Sequence, residues 1–306
     1  MIPGAAPPPP APAPAGSESW ETPPPGTLGA VGTVGTAISI WWRHRVRLAL
    51  LTFVLGGVVT VVASLVDPGP GLRELIQMYR TGLIPDDLEQ PSRVSQSLGM
   101  LSGLVLEPIL ALATMRIVVG GSVGSVPKAP AAAFYGLRRI ASTWWLFIAL
   151  ALTFVALAIP TLIVAAGLGA QWSPLWGVGV VPFVYVGVRL APVLGAFVVD
   201  DARGFAAIGR SWTLSRRRWW ATAGALAISA ALAIALALAT VVLQVLIPGS
   251  GDASAFAQAA VGALVGAFTG PIPYAVVAVL YLDLRARHEP TPPSAVRTMI
   301  ERHDPD

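Results

Sequence analysis

Six stretches of about 20 apolar residues, at 46–66, 98–120, 144–167, 174–199, 219–248 and 256–282, constrain this chain more than any motif does. A helix rising 1.5 Å per residue needs about 20 residues to cross ~30 Å of hydrocarbon. In lipid every backbone N–H and C=O must find its partner inside the protein, so these stretches are expected to be helices. The fifth, WWATAGALAISAALAIALALATVVLQVLIP, exceeds a minimal span and is expected to tilt or to begin in the headgroup layer. Composition agrees: 55% of residues are hydrophobic and 12% charged, and the mean hydropathy of +0.69 is more than a domain with a wet surface carries. The expected fold is all-α, a polytopic membrane helix bundle of six transmembrane helices.

Charge orients the bundle. With the amino terminus inside, 17 of the 20 basic residues fall in inner segments, leaving Arg73, Arg80 and Arg93 outside. The positive-inside rule then places both termini in the cytoplasm of a multi-pass protein of the cell's inner (plasma) membrane. Residues 1–26, rich in Pro and Ala and without a basic residue, read as a disordered leader and not as a signal peptide. Residues 27–289 form the six-span domain and 290–306 a polar tail. Within the outer loop 67–97, Leu72, Leu75, Ile76, Tyr79 and Leu83 make an apolar stripe that suggests a short interfacial helix. The carboxylates Asp86, Asp87 and Glu89 behind it lack the ordered spacing of a calcium loop.

A threefold periodicity runs through the spans. VGTAISIWWRHRV precedes the first, AAAFYGLRRIASTWW the third and GFAAIGRSWTLSRRRWW the fifth, each a basic, partly apolar segment with a Trp pair. Short amphipathic interfacial helices are expected there. In the last of them Phe205, Ile208, Trp212 and Leu214 follow near-helical spacing. The chain reads as three units of interfacial helix, outward span and inward span. The inward spans share a proline followed by charge: Pro108 and Arg116, Pro182 and Arg189, Pro273 with Asp283 and Arg285.

Glu107 is the one acid well inside an expected span and needs a partner, because an unpaired intramembrane carboxylate costs about 3 kcal/mol on insertion scales. Arg116 lies nine residues on, about 13.5 Å along the axis, so Arg189 is the expected partner, forming either a structural pair or part of an ion path. Gly262, Gly266 and Gly270, at intervals of four, present a small face expected to pack another helix. Arg285 and Arg287 complement the negative end of the last helix. Asp283 is expected to pair with Arg210 or Arg216 and so clasp the last span to the third interfacial helix.

Enzyme signatures are missing. The chain has no cysteine, and His44, His288 and His303 lie at the inner edge or in the tail. No HExxH helix, GxSxG elbow or P-loop occurs. Neither a catalytic group nor a metal, cofactor or nucleic acid is expected.

DDARGFAAIGRSWTLSRRRWW, at 200–220, and YLDLRARHE, at 281–289, are similar to the membrane-domain family named after its occurrence in some bacterial glycerophosphoryl diester phosphodiesterases. The resemblance rests on Ala206, Arg210, Ser211, Trp212 and Leu214, then Tyr281, Asp283, Arg285, Arg287 and Glu289. It covers most of 27–289 in layout. Many members, above all in actinobacteria, stand alone as six-span proteins, which is what the resemblance implies here. Asp200 and Asp201 stand where that pattern has a glutamate, and Arg216, Arg217 and Arg218 replace its basic-Gly-basic step. Too few residues follow 289 for the soluble phosphodiesterase barrel, so its activity is not expected to transfer. The expected function is a non-enzymatic scaffold or lipid-interacting bundle that presents basic helices to anionic lipids and to an unidentified protein partner. The alternative is a transporter or permease subunit. For it, DARGFAAIG would dock an ATPase, although the segment lacks the apolar, proline-bearing ending of such loops.

Overall fold

A computed structural model describes residues 20–66, 92–168, 176–248, 252–289 and 292–302. The expected helix in the outer loop, with its three carboxylates, lies outside the described residues.

All six apolar stretches are helices, and the predicted interfacial helices stand before the first, third and fifth. Helix α1 (Ala30–Arg43) leads into α2 (Arg45–Val66), the first span, and α3 (Arg93–Ser122) returns as the second. Helix α4 (Ala129–Arg138) precedes α5 (Ile140–Leu168). The fourth span is α6 (Trp176–Leu190) followed by α7 (Val193–Val199). Helix α8 (Phe205–Ser215) precedes α9 (Trp219–Val245), and the sixth span is α10 (Asp252–Thr269) continued by α11 (Pro271–His288). Helix α12 (Pro293–Glu301) ends the described chain. Both described ends lie at one end of the bundle, here called the basic end. There Glu21 donates its N–H to the Ser122 carbonyl, and Arg297 donates to that of Val123.

Inward and outward spans differ in what they bury. The 36 apolar-helix residues Ala253–His288 would reach about 54 Å, far beyond ~30 Å of hydrocarbon. Half of the most apolar window of this helix is buried in protein, against 6% for Trp219–Val245. The excess length is where the core sits. Leu112, Met115, Phe197, Tyr281 and Leu284, all fully buried, come from the basic-end halves of the second, fourth and sixth spans. Interfacial helices α1, α4 and α8 and the terminal α12 pack around them. The outward spans leave most faces uncovered by protein, so their burial has to come from a bilayer.

The threefold periodicity has a physical counterpart in three indole hydrogen bonds. Trp144 donates Nε1–H to the Leu104 carbonyl at 3.0 Å, Trp219 to Tyr185 at 3.3 Å, and Trp41 to Phe268 at 3.0 Å. Each unit thus bonds the inward span of the unit before it, and the first unit closes the ring on the third. Leu104 lies four residues before Pro108, which has no N–H to give it; the indole takes that carbonyl. The charges of the inward spans are not equivalent by this marker. Arg189 lies four residues past the bonded carbonyl, Arg116 twelve and Asp283 fifteen, or roughly 6, 18 and 22 Å along an ideal helix.

At both termini the structure describes residues beyond the six-span domain. Residues 20–26, the end of the Pro- and Ala-rich leader, are packed on the basic end: the Gly26 N–H binds Asp283, and Glu21 pairs with Arg43 at 3.1 Å. Residues 1–19 lie outside the described residues. The polar tail is largely helix α12, whose Val296 and Ile300 are buried. Its apolar residues recur at a spacing of four, the signal of an amphipathic helix with one face to cover.

Candidate functional site

The charged layer at the basic end brings together most of the residues singled out above, in pairings that differ from those expected. Asp283 is buried, and it does not meet Arg210 or Arg216. Its Oδ1 accepts the backbone N–H groups of Gly26 at 2.8 Å and Leu28 at 2.9 Å, while Arg287 Nε–H reaches Oδ2 at 3.0 Å. Arg287 also donates to the Leu28 carbonyl at 2.6 Å. Asp283 therefore ties the last span to the segment that leads into α1, not to the third interfacial helix. The reason is local: Gly26 has φ +95, a left-handed turn open to glycine, and this turn aims the N–H groups of Gly26 and Leu28, two residues apart, at one carboxylate oxygen.

The last span is tied to the third interfacial helix by other residues. Arg210 on α8 bonds Asp200 at 2.8 Å through Nε and grips Glu289 with both terminal nitrogens, at 2.7 and 2.5 Å. Arg285 Nε lies 3.2 Å from Asp200 Oδ1, an ion pair without hydrogen-bond geometry. Tyr281, fully buried, donates its hydroxyl to Asp200. The Arg210 bond holds the Glu289 carboxyl below its usual range, and the same bond, with that of Asp200, raises the Arg210 guanidinium further. Behind this network Arg139 pairs with Asp201 and lies against the rings of Tyr135 and Phe197. Sequence reading passed over Asp200, Asp201, Arg139 and Tyr281 as site residues. A signal was available: two adjacent acids at the end of an apolar span have to be matched by bases.

Glu107 does not pair with Arg189 either. It accepts a hydrogen bond from Tyr274 on α11. Arg189 donates to the Tyr185 hydroxyl at 2.5 Å and the Trp212 carbonyl at 3.3 Å, with its guanidinium over both rings. Its own carbonyl accepts from Ser211 at 2.8 Å and Ser215 at 3.2 Å. Helix α8 therefore buries Ala207, Ser211, Leu214 and Ser215, while Phe205 and Trp212 turn outward. Of its expected apolar stripe, Leu214 alone is deep inside. Arg116 sits under α12, giving Nη2–H to the Ile300 carbonyl at 2.6 Å and covering the Tyr135 ring. The cavity beside it holds about 10 Å³, room for no more than about one water.

The small face of the sixth span is looser than predicted. A Cβ on Gly266 would meet nothing within 4 Å, and one on Gly262 would touch only the amide of Gln244. Close helix approach occurs elsewhere. A Cβ on Gly195 would fall 2.3 Å from Tyr281, and one on Gly136 would fall 2.8 Å from the Ile109 carbonyl.

Chemically, the layer is a set of matched charges. Asp200, Asp201, Asp283 and Glu289 each face at least one arginine. Among the described residues no cluster of three His, Asp or Glu could hold a metal ion. Comparison with protein-family models, curated proteins and solved structures finds no match.

Proposed function

We propose that the chain is a non-enzymatic protein of the cell's inner membrane, with both termini cytoplasmic, whose basic end engages the anionic inner leaflet and organises a protein partner there. One observation carries this reading. The carboxylates of the layer are used up internally, while Arg45, Arg47, Lys128, Arg138, Arg216, Arg217 and Arg218 are exposed and none is paired with a carboxylate among the described residues. Each basic residue near an anionic surface contributes about 1 kcal/mol of attraction. The same orientation follows from the positive-inside rule, and six spans with basic interfacial helices fit the resemblance to the phosphodiesterase-associated membrane domain.

The transport reading has one observation in its favour. Glu107 is exposed beside two π-helical turns, Phe53–Gly57 and Ser102–Leu106, which pack on one another, and such turns concentrate at functional positions. The Glu107–Arg189 path it relied on does not form. Extraction of the full chain in native lipid, with mass spectrometry of what comes along, separates the two. Enrichment of anionic lipid over the bulk membrane supports the first reading; a stoichiometric ATPase supports transport and overturns it.

A further inference from the structure

The three Trp-bearing junctions are alike in sequence and in their indole bonds, but they differ in how their arginines are matched. At the first, Arg43 pairs with Glu21 and Arg45 lies over Trp42, leaving Arg47 as a single exposed cation that meets no carboxylate or ring among the described residues. At the second, Arg139 pairs with Asp201 and Arg138 lies over Phe134. At the third, Arg216, Arg217 and Arg218 are exposed and meet no carboxylate or ring among the described residues. They run directly into Trp219 and Trp220, which wall a cavity of about 480 Å³ together with Val180, Val181, Val184 and Tyr185. That size is within the ~300–1,000 Å³ of small-molecule sites.

The walls of this slot are apolar, open on the lipid-facing side, and held in place from behind. Tyr185 and Trp219 stack at 6.0 Å, and Trp219 meets Trp220 edge-on at 4.6 Å. The buried Arg189 fixes the Tyr185 hydroxyl, and Trp219 is tied to the Tyr185 carbonyl. Trp220 is 82% exposed, a large indole left uncovered by protein at the level where a bilayer meets water. An apolar slot in the acyl region that leads to three unmatched cations at the headgroup level complements one chemistry: a negative headgroup on an apolar chain.

We infer that the slot between α6 and α9 is a specific site for one anionic phospholipid, with an acyl chain along Val181, Val184 and Trp219 and its phosphate held by the Arg216–Arg218 run. The inference rests on the reading of the basic end as a surface for anionic lipid and makes it specific to one junction. Lipid bound here would bridge the second and third units between α6 and α9.

The test is native mass spectrometry of the full detergent-solubilised chain titrated with phosphatidylglycerol or with phosphatidylcholine of the same acyl chains. The wild type should bind one phosphatidylglycerol at least about tenfold more tightly than phosphatidylcholine. Changing Arg216, Arg217 and Arg218 together to Gln should remove that preference. V184W, which fills the slot from a lipid-exposed position without touching the charges, should weaken the tight site by a similar factor at unchanged melting temperature. If the wild type prefers phosphatidylglycerol but neither variant alters the preference, the slot is not the site, although the broader reading stands. If the wild type shows no preference, both fail. A dimer formed in place of the lipid adduct assigns the slot to a second copy and overturns the inference.

Discussion

At the scale of single residues, Asp283 decides how the amino-terminal segment is held. Its two backbone donors and Arg287 are charge-assisted partners in a buried setting. Asp283→Asn keeps the shape but removes the charge, and should cost about 2 kcal/mol. A double-mutant cycle with Arg287→Gln should show strong coupling, and one with Arg210→Gln much less; thermal unfolding of the detergent-solubilised variants reads both. His44 makes a second residue-scale prediction. It sits between α1 and the first span with Nε2 buried and unbonded among the described residues, and burial, then Arg47 and Arg43, lower its pKa from 6.5. A base whose folded pKa is depressed stays neutral while the unfolded chain takes up a proton. Its contribution is therefore full above about pH 6.5 and declines as pH falls below that value. The melting temperature should drop between pH 7.5 and pH 5.5 by more in the wild type than in His44→Asn. That Asp283 needed a partner was legible from its place at the end of an apolar helix; which partner was not, because it is set by a backbone turn 257 residues away.

At the scale of elements, the positions and order of the spans and interfacial helices could be read from hydropathy and Trp–Arg clusters, because the bilayer imposes length and the interface imposes composition. Helix contacts could not be read the same way. Gly262, Gly266 and Gly270 form the more visible motif, yet the tight crossing is at Gly195, where α7 lies against Tyr281. Gly195→Ala should destabilise by about 3 kcal/mol, since the added carbon meets the fixed base of a buried ring. Gly266→Ala should be neutral or mildly stabilising, as its Cβ enters open space and alanine favours helix. Melting of the two variants side by side checks this; an equal loss would show that the small face packs as its motif suggests. Helix α12 escaped notice because nine residues of mixed polarity resemble any polar tail until Arg116 and Tyr135 provide a surface for them.

At the scale of the whole molecule, three outward spans contribute membrane-facing surface and three inward spans contribute the core, which the basic-end helices enclose. The indole bonds join the units in a ring, so the layer is held as one assembly. The account stands on this layer facing the cytoplasm, where anionic lipid is in reach. A chain without cysteine allows that to be measured directly with single cysteines at Thr298, exposed on α12, and Ala253, exposed at the far end of α10. In intact cells a membrane-impermeant maleimide should label Ala253→Cys and leave Thr298→Cys unlabelled until the membrane is opened. Labelling of Thr298→Cys from outside, with Ala253→Cys protected, would contradict the account.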